Sequence, residues 1–347
     1  MGHRSDWVDY AKAIGIILVV YAHVARGLYN AGLEIHEGFY VLVDSIVYSF
    51  VMPLFFFLSG MFFYDSFSKR GGIKLIGSKI DTIIYPFVLW SISQGMLEVS
   101  LSAYTNGNVT YSEVFSLLWA PRAHFWFLYA LFVAFLLASA IFSIVPKKAS
   151  IAVSLFAALA YISASTMPEI FVVNVMAHHF VFFALGIVFT TYFKAENLSD
   201  PWLLGLFTSA FLIGQFIFHG IFGLGYQNYG VASLLLAIVS IVFVISLSTW
   251  LALKPNRLMV FIGSSSMAIY LMHVLAGGAT RVLLEAMGVE SFFSHLIIGS
   301  LAGLFVPLFI LVLMSKLRIR YIFSAPISRF ITFSYQKLLH RPDKSHR

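Results

Sequence analysis

Ten stretches of the chain are apolar over nearly their whole length: 8–28, 39–63, 80–101, 125–145, 149–165, 178–193, 202–222, 229–251, 259–276 and 292–314. Most approach the roughly 20 residues a helix needs to cross the hydrocarbon core of a bilayer. The runs are too long and too continuous for the alternating strands of a membrane barrel. The pattern therefore predicts an all-α, polytopic integral membrane protein with about ten transmembrane helices. The fifth and sixth runs are short for the task. Pro53 and Pro86 fall in or near the second and third, where neighbouring helices can satisfy the carbonyls they free.

Composition agrees. Of 347 residues, 60% are hydrophobic, 17% aromatic and only 11% charged, with a mean hydropathy of +0.90. Soluble domains run nearer half apolar and a quarter charged, so a soluble globule and a disordered chain are both excluded. The chain has no cysteine. That removes disulfides, thiolate metal sites and acyl transfer through a catalytic thiol.

The formal charge of +7 could suggest a nucleic-acid partner, but the charges sort by loop, so none is expected. Arg4 precedes the first run; Lys69, Arg70, Lys74 and Lys79 follow the second; Lys147 and Lys148 follow the fourth. Lys194 follows the sixth, Lys254 and Arg257 the eighth, and eight more lie from Lys316 onward. The opposite loops hold only Arg122 and Arg281, while Lys12 and Arg26 lie within the first run. This asymmetry predicts both termini on the cytoplasmic side. It divides the chain into one transmembrane domain, 1–315, and a basic cytoplasmic tail, 316–347, drawn to anionic membrane lipid. A cleaved signal peptide is disfavoured, because Asp6 and Asp9 occupy the region that should be basic.

With that orientation, all eight histidines outside the tails fall in the outer half or outer loops: His23, His36, His124, His178, His179, His219, His273 and His295. Most need be no more than interfacial side chains, but ionisable groups at membrane depth are costly and usually functional. His23 stands out. It follows Lys12 by eleven residues, which brings both onto one helix face about 16 Å apart. Asp9 precedes Lys12 by three residues, the spacing at which helical side chains pair.

The run Asp9-Tyr-Ala-Lys12 followed by Ala-Ile-Gly-Ile-Ile-Leu-Val-Val-Tyr-Ala-His23 resembles the first helix of the membrane acyltransferase-3 family, in which Arg or Lys precedes His by the same interval. Three more elements match in order: Met52-Pro-Leu-Phe-Phe-Phe-Leu-Ser59-Gly60, His124-Phe-Trp126-Phe-Leu-Tyr, and Ala268-Ile-Tyr-Leu-Met-His273. One position departs. Relatives of the fucose O-acetylase kind often carry His before Met-Pro-Leu, where this chain has Val51.

The resemblance implies transfer of an acyl group, most simply acetyl, from cytoplasmic acetyl-CoA to a hydroxyl of an extracytoplasmic carbohydrate. The acceptor would be an exopolysaccharide, a lipopolysaccharide or a lipid-linked sugar, and the setting a bacterial inner membrane. His23 is then the catalytic residue, with Lys12 and Asp9 as its companions. Lys12, Lys74 and Lys79 are candidates to hold the CoA phosphates, since cations make strong charge-assisted contacts to phosphate. Arg122, His124, Trp126, His273 and Asp44 are candidates for the acceptor side, Asp44 also as a group that could orient His23. No metal is expected, and a homo-oligomer is left open. The competing reading is a transporter of glycan or small solute with Lys12 and His23 lining its path; a third is an assembly subunit of an export complex.

Overall fold

The computed structural model describes residues 6–101 and 109–329. Helix α1 (Asp6–Asn30) is the axis of the bundle. Its sequence is small and apolar on nearly every face, so neighbours can surround it. The helical segments that follow are α2 (Glu37–Tyr48), α3 (Val51–Met61), α4 (Phe63–Arg70), α5 (Gly72–Lys79), α6 (Tyr85–Ser100) and α7 (Tyr111–Phe115). Then come α8 (Trp126–Ile144), α9 (Ser150–Ile162), α10 (Phe171–Tyr192) and α11 (Pro201–Gln215). The last are α12 (Val231–Leu251), α13 (Arg257–Ser264), α14 (Ser266–Ala286) and α15 (Phe292–Lys316). No strand occurs among the described residues. Helix α1 is packed by α3, α12, α13, α14 and α15.

Glycines set the closest approaches. A Cβ at Gly60 of α3 would overlap the Phe183 carbonyl of α10, and one at Gly186 of α10 would overlap the Phe57 carbonyl of α3. The two helices therefore touch backbone to backbone, as small residues allow in membranes. Gly263 of α13 sits in the same way on the Asp9 carbonyl of α1.

Among the described residues, nine helical segments are long and apolar enough to cross a membrane: Asp6–Asn30, Glu37–Arg70, Gly72–Ser100, Ala123–Ile144, Phe171–Tyr192, Pro201–Ile221, Val231–Leu251, Ser266–Ala286 and Phe292–Lys316. The expected fifth span is the exception: α9 has only 13 helical residues. Its two ends nevertheless contact different parts of α10. Just before it, the Lys148 carbonyl accepts a hydrogen bond of 3.3 Å from Tyr192 Oη at the end of α10. Near its far end, Tyr161 packs edge-on to His178, in the first half of α10, with ring centroids 6.3 Å apart. Helix α9 therefore runs antiparallel to α10, but with 13 residues it is not among the segments long enough to cross.

The ninth expected span, 259–276, needs correction. Its apolar run straddles a break at Ser265 between α13 and α14. The crossing helix is Ser266–Ala286, displaced toward the C-terminus from the expected run, and Gly263, just before the break, is held against α1. Arg281, expected in an outer loop, lies inside this helix and pairs with Glu285 at 2.8 Å.

The described part of the tail makes contacts with the third spanning segment. Tyr85 Oη and Trp90 Nε1 donate to the carbonyls of Tyr321 (2.5 Å) and Ile322 (3.1 Å). The Ser328 N–H and Oγ–H both donate to the Asp81 carboxylate, at 2.7 and 2.6 Å. Residues 321–328 are therefore docked on the third spanning segment; the rest of the tail, 330–347, lies outside the described residues.

Candidate functional site

The site is built from α1 outward. His23 follows Lys12 by eleven positions on this helix, so the two mark two levels of the bundle. Around His23 the chain gathers two further imidazoles. The ring centroids of His23 and His273 lie 4.9 Å apart, those of His124 and His273 5.1 Å, and those of His23 and His124 5.8 Å. Residues 101, 149 and 250 positions apart in sequence thus form one triangle.

Local structure fixes each ring. His23 Nδ1 faces the Val19 carbonyl one turn back, at 2.9 Å. His273 Nδ1 faces the carbonyls of Tyr270 and Ile269, at 2.8 and 3.1 Å. A ring nitrogen facing a carbonyl carries the proton, so in the neutral rings Nδ1–H donates and Nε2 keeps the lone pair. His124 lies in the single 3-10 turn Ala123–Phe125 that precedes α8. Ala123 is held at φ 45°, in the left-handed region that non-glycine residues rarely adopt. The Tyr270 hydroxyl donates to the His124 carbonyl and pins this turn to α14.

Neither nitrogen of His124, nor Nε2 of His273, has a hydrogen-bond partner in the protein, although both side chains are buried. Buried polar atoms are normally satisfied. Three such nitrogens at one place are suited to meet the polar atoms of a substrate. Among the described residues, no group of three or more His, Asp or Glu is arranged to hold a metal ion.

A cavity of about 810 Å³ opens beside the triangle, between α1, α6 and α14, with His23 and His273 in its wall. Glu98, Arg281 and His295 also line it. None of these three was picked out from the sequence as a site residue. Glu98 accepts from Gln94 Nε2 at 2.9 Å and from Arg122 Nη2 at 2.8 Å. Through this pair Arg122 is tied to the wall.

The remaining sequence candidates fall elsewhere. Trp126 packs on His179 of α10, with centroids 5.2 Å apart, and is not part of the cavity wall. Asp44 is taken up by Arg26 in a bidentate pair, Nε to Oδ1 and Nη2 to Oδ2, both 2.8 Å. The tautomer of His23 is therefore set by the Val19 carbonyl and not by Asp44. Arg26 in turn stacks over the Tyr48 ring at 3.6 Å and donates to Tyr226 Oη at 3.0 Å. This cluster fastens the 223–230 loop to α1 and α2. Sequence offered a weak hint of it, an Arg deep in an apolar helix.

At the opposite end lie the cations. Lys12 Nζ is 6.0 Å from the Phe62 ring centroid, and Lys79 Nζ is 4.1 Å from that of Phe135. Lys12 and Arg70 are the charges that act on Lys79, so these three converge. Lys74 is exposed on α5. Asp9 is buried, 1% exposed, in the first turn of α1. It lies about 21 Å along the helix from His23 and takes no part in the histidine triangle. Two residues after Lys79, Asp81 binds Ser328 of the last described segment.

The all-helical membrane bundle thus buries three histidines beside a cavity, with Lys12 about 16 Å away along α1. In comparison with protein families, the family described as an acyltransferase domain, the acyltransferase-3 family, matches residues 5–323. The chain belongs to that family and is a membrane acyltransferase. No curated protein and no solved structure matches it.

Proposed function

We propose that the protein is an O-acyltransferase of the bacterial inner membrane. It moves an acyl group, acetyl in the simplest case, from acyl-CoA at the basic end to a carbohydrate hydroxyl at the histidine end. The observation that carries this reading is the His23–His124–His273 triangle beside a cavity, on the same helix as Lys12. A sugar hydroxyl is a poor nucleophile, and a positioned imidazole that takes its proton contributes about 10²–10⁴-fold. His23 Nε2 is the base: its Nδ1–H is engaged by Val19, and its lone pair is free for the hydroxyl.

As the hydroxyl oxygen attacks the thioester carbonyl, the proton passes to Nε2 and a C–O bond forms. The C–S bond then breaks, and the CoA thiolate leaves with the proton from the imidazolium. Lys12 and Lys79, with Arg70 beside them, hold the phosphates. The pantetheine arm follows α1 over the 16 Å to His23. His124 and His273 supply hydrogen-bonding nitrogens to the acceptor.

The test is transfer of radiolabelled acetyl-CoA to a panel of oligosaccharides and glycolipids by the purified protein in nanodiscs, with His23→Ala alongside. Label on a glycan with wild type alone supports the reading. Label on glycan from both proteins removes His23 from the reaction. Label bound covalently to wild-type protein would replace direct transfer with an acyl-histidine route.

A further inference from the structure

The histidine triangle has a neighbour that belongs neither to the sequence motifs nor to the cavity wall. Tyr48 is the last residue of α2, and its ring stands edge-on to His23, with centroids 6.3 Å apart. Arg26 follows His23 by three residues on α1, so both project from one side of that helix. Its guanidinium lies over the Tyr48 ring, 3.6 Å from the centroid. Both oxygens of Asp44 and the hydroxyl of Tyr226 hold it there. The phenol is thus fixed against His23 and under Arg26, with its hydroxyl left over.

That hydroxyl is buried and has no hydrogen-bond partner in the protein. A buried polar atom left unpaired is costly, which points to a partner that arrives with the substrate. Tyr48 also acts electrostatically on Tyr270, whose own hydroxyl is spent on the His124 carbonyl. Its oxygen is therefore within electrostatic reach of the turn that carries His124.

The site is short of hydrogen donors. His23 and His273 give Nδ1–H to carbonyls of their own helices, so both Nε2 atoms only accept. Neutral His124 carries one ring proton for its two bare nitrogens. Attack on a thioester creates a negative oxygen, and a donor already aimed at it is among the strongest aids an enzyme can offer. A phenol keeps its proton through neutral pH. A cation over its ring draws electron density from the oxygen and makes the O–H a better donor.

We propose that Tyr48 is a catalytic residue: its O–H donates to the thioester carbonyl oxygen and holds the oxyanion formed when the sugar oxygen attacks. The proton stays on Tyr48 throughout. As the C–S bond breaks, the C=O bond reforms and the hydrogen bond slackens. This rests on the acyl-transfer reading above and adds the group that meets the oxyanion.

Tyr48→Phe isolates the claim, because it keeps the ring against His23 and under Arg26 and removes only the unpartnered oxygen. It is measured in nanodiscs beside wild type and His23→Ala, with acetyl-CoA and a glycan of the panel that takes label. The chain has no cysteine, so a thiol reagent follows the released CoA alone. The kcat should fall about 10²–10³-fold, the usual loss for one oxyanion donor, with KM for acetyl-CoA unchanged. The thermal midpoint should hold or rise, since no protein hydrogen bond is lost. The pH profile should keep its shape, because Tyr48 stays protonated across it. Replacing Tyr48 by 3-fluorotyrosine, a more acidic phenol of nearly the same size, should raise kcat, and this reports even if Tyr48→Phe does not fold.

A kcat for Tyr48→Phe close to that of wild type overturns the inference, as does a fluorinated enzyme no faster than wild type. Activity that falls together with the thermal midpoint, or a displaced acid limb, would make Tyr48 a support for His23 instead. Transfer lost in His23→Ala but kept in Tyr48→Phe sinks this inference alone. Transfer kept in His23→Ala sinks the reading beneath it.

Discussion

The two ends of α1 serve opposite demands. At the histidine end the groups are short, buried and fixed: two rings are tied to carbonyls of their own helix, and a third sits in a turn pinned by Tyr270. At the basic end the groups are long and sit over aromatic rings, Lys12 over Phe62 and Lys79 over Phe135. Proton transfer needs placement to fractions of an ångström, because its benefit is lost with small displacements. Holding phosphates needs charge within reach, which flexible ammonium groups supply. Rigidity is concentrated where bonds would change.

That contrast orders the expected effects of substitution. His23→Ala should lower acyl transfer by about 10²–10⁴-fold, while acetyl-CoA still binds by calorimetry and the protein elutes as wild type. Lys12→Gln should act at the other end: a roughly tenfold higher KM for acyl-CoA, the loss of one charged hydrogen bond, with kcat nearly unchanged. A fall in kcat at constant KM would show that the ends do not divide the labour.

Asp44→Asn should cost about 1–3 kcal/mol of stability, because it leaves the half-buried Arg26 without its ionic partner; a lower midpoint in thermal unfolding checks this. Lys74→Gln should change KM by less than about twofold, as befits an exposed cation. An effect as large as that of Lys12→Gln would move the phosphate site out along α5.

Much of the contrast was legible in the sequence. The shared face of Lys12 and His23 follows from helical arithmetic, and His124 and His273 were marked by the motifs they belong to. Composition and charge sorting gave the helical bundle. What escaped depends on how helices rotate against one another. Trp126 follows His124 by only two residues, yet points to His179. Asp44 looked like a partner for His23 until Arg26, one turn further along α1, proved to hold it. Glu98 was not singled out and Arg281 was placed in an outer loop, because only packing reveals which face borders a cavity. The displaced ninth span is a further case: hydropathy cannot register that Gly263 is pressed onto the Asp9 carbonyl.

The central claim is that donor and acceptor meet at His23 from opposite sides of the membrane. It is tested most directly in proteoliposomes of known orientation, with labelled acetyl-CoA on one side and a glycolipid acceptor confined to one leaflet. The account predicts product only when acetyl-CoA is on the Lys12 side and the acceptor in the leaflet at the His23 end, and none with His23→Ala. Product formed with both substrates supplied at the His23 end, and none across the membrane, would contradict it.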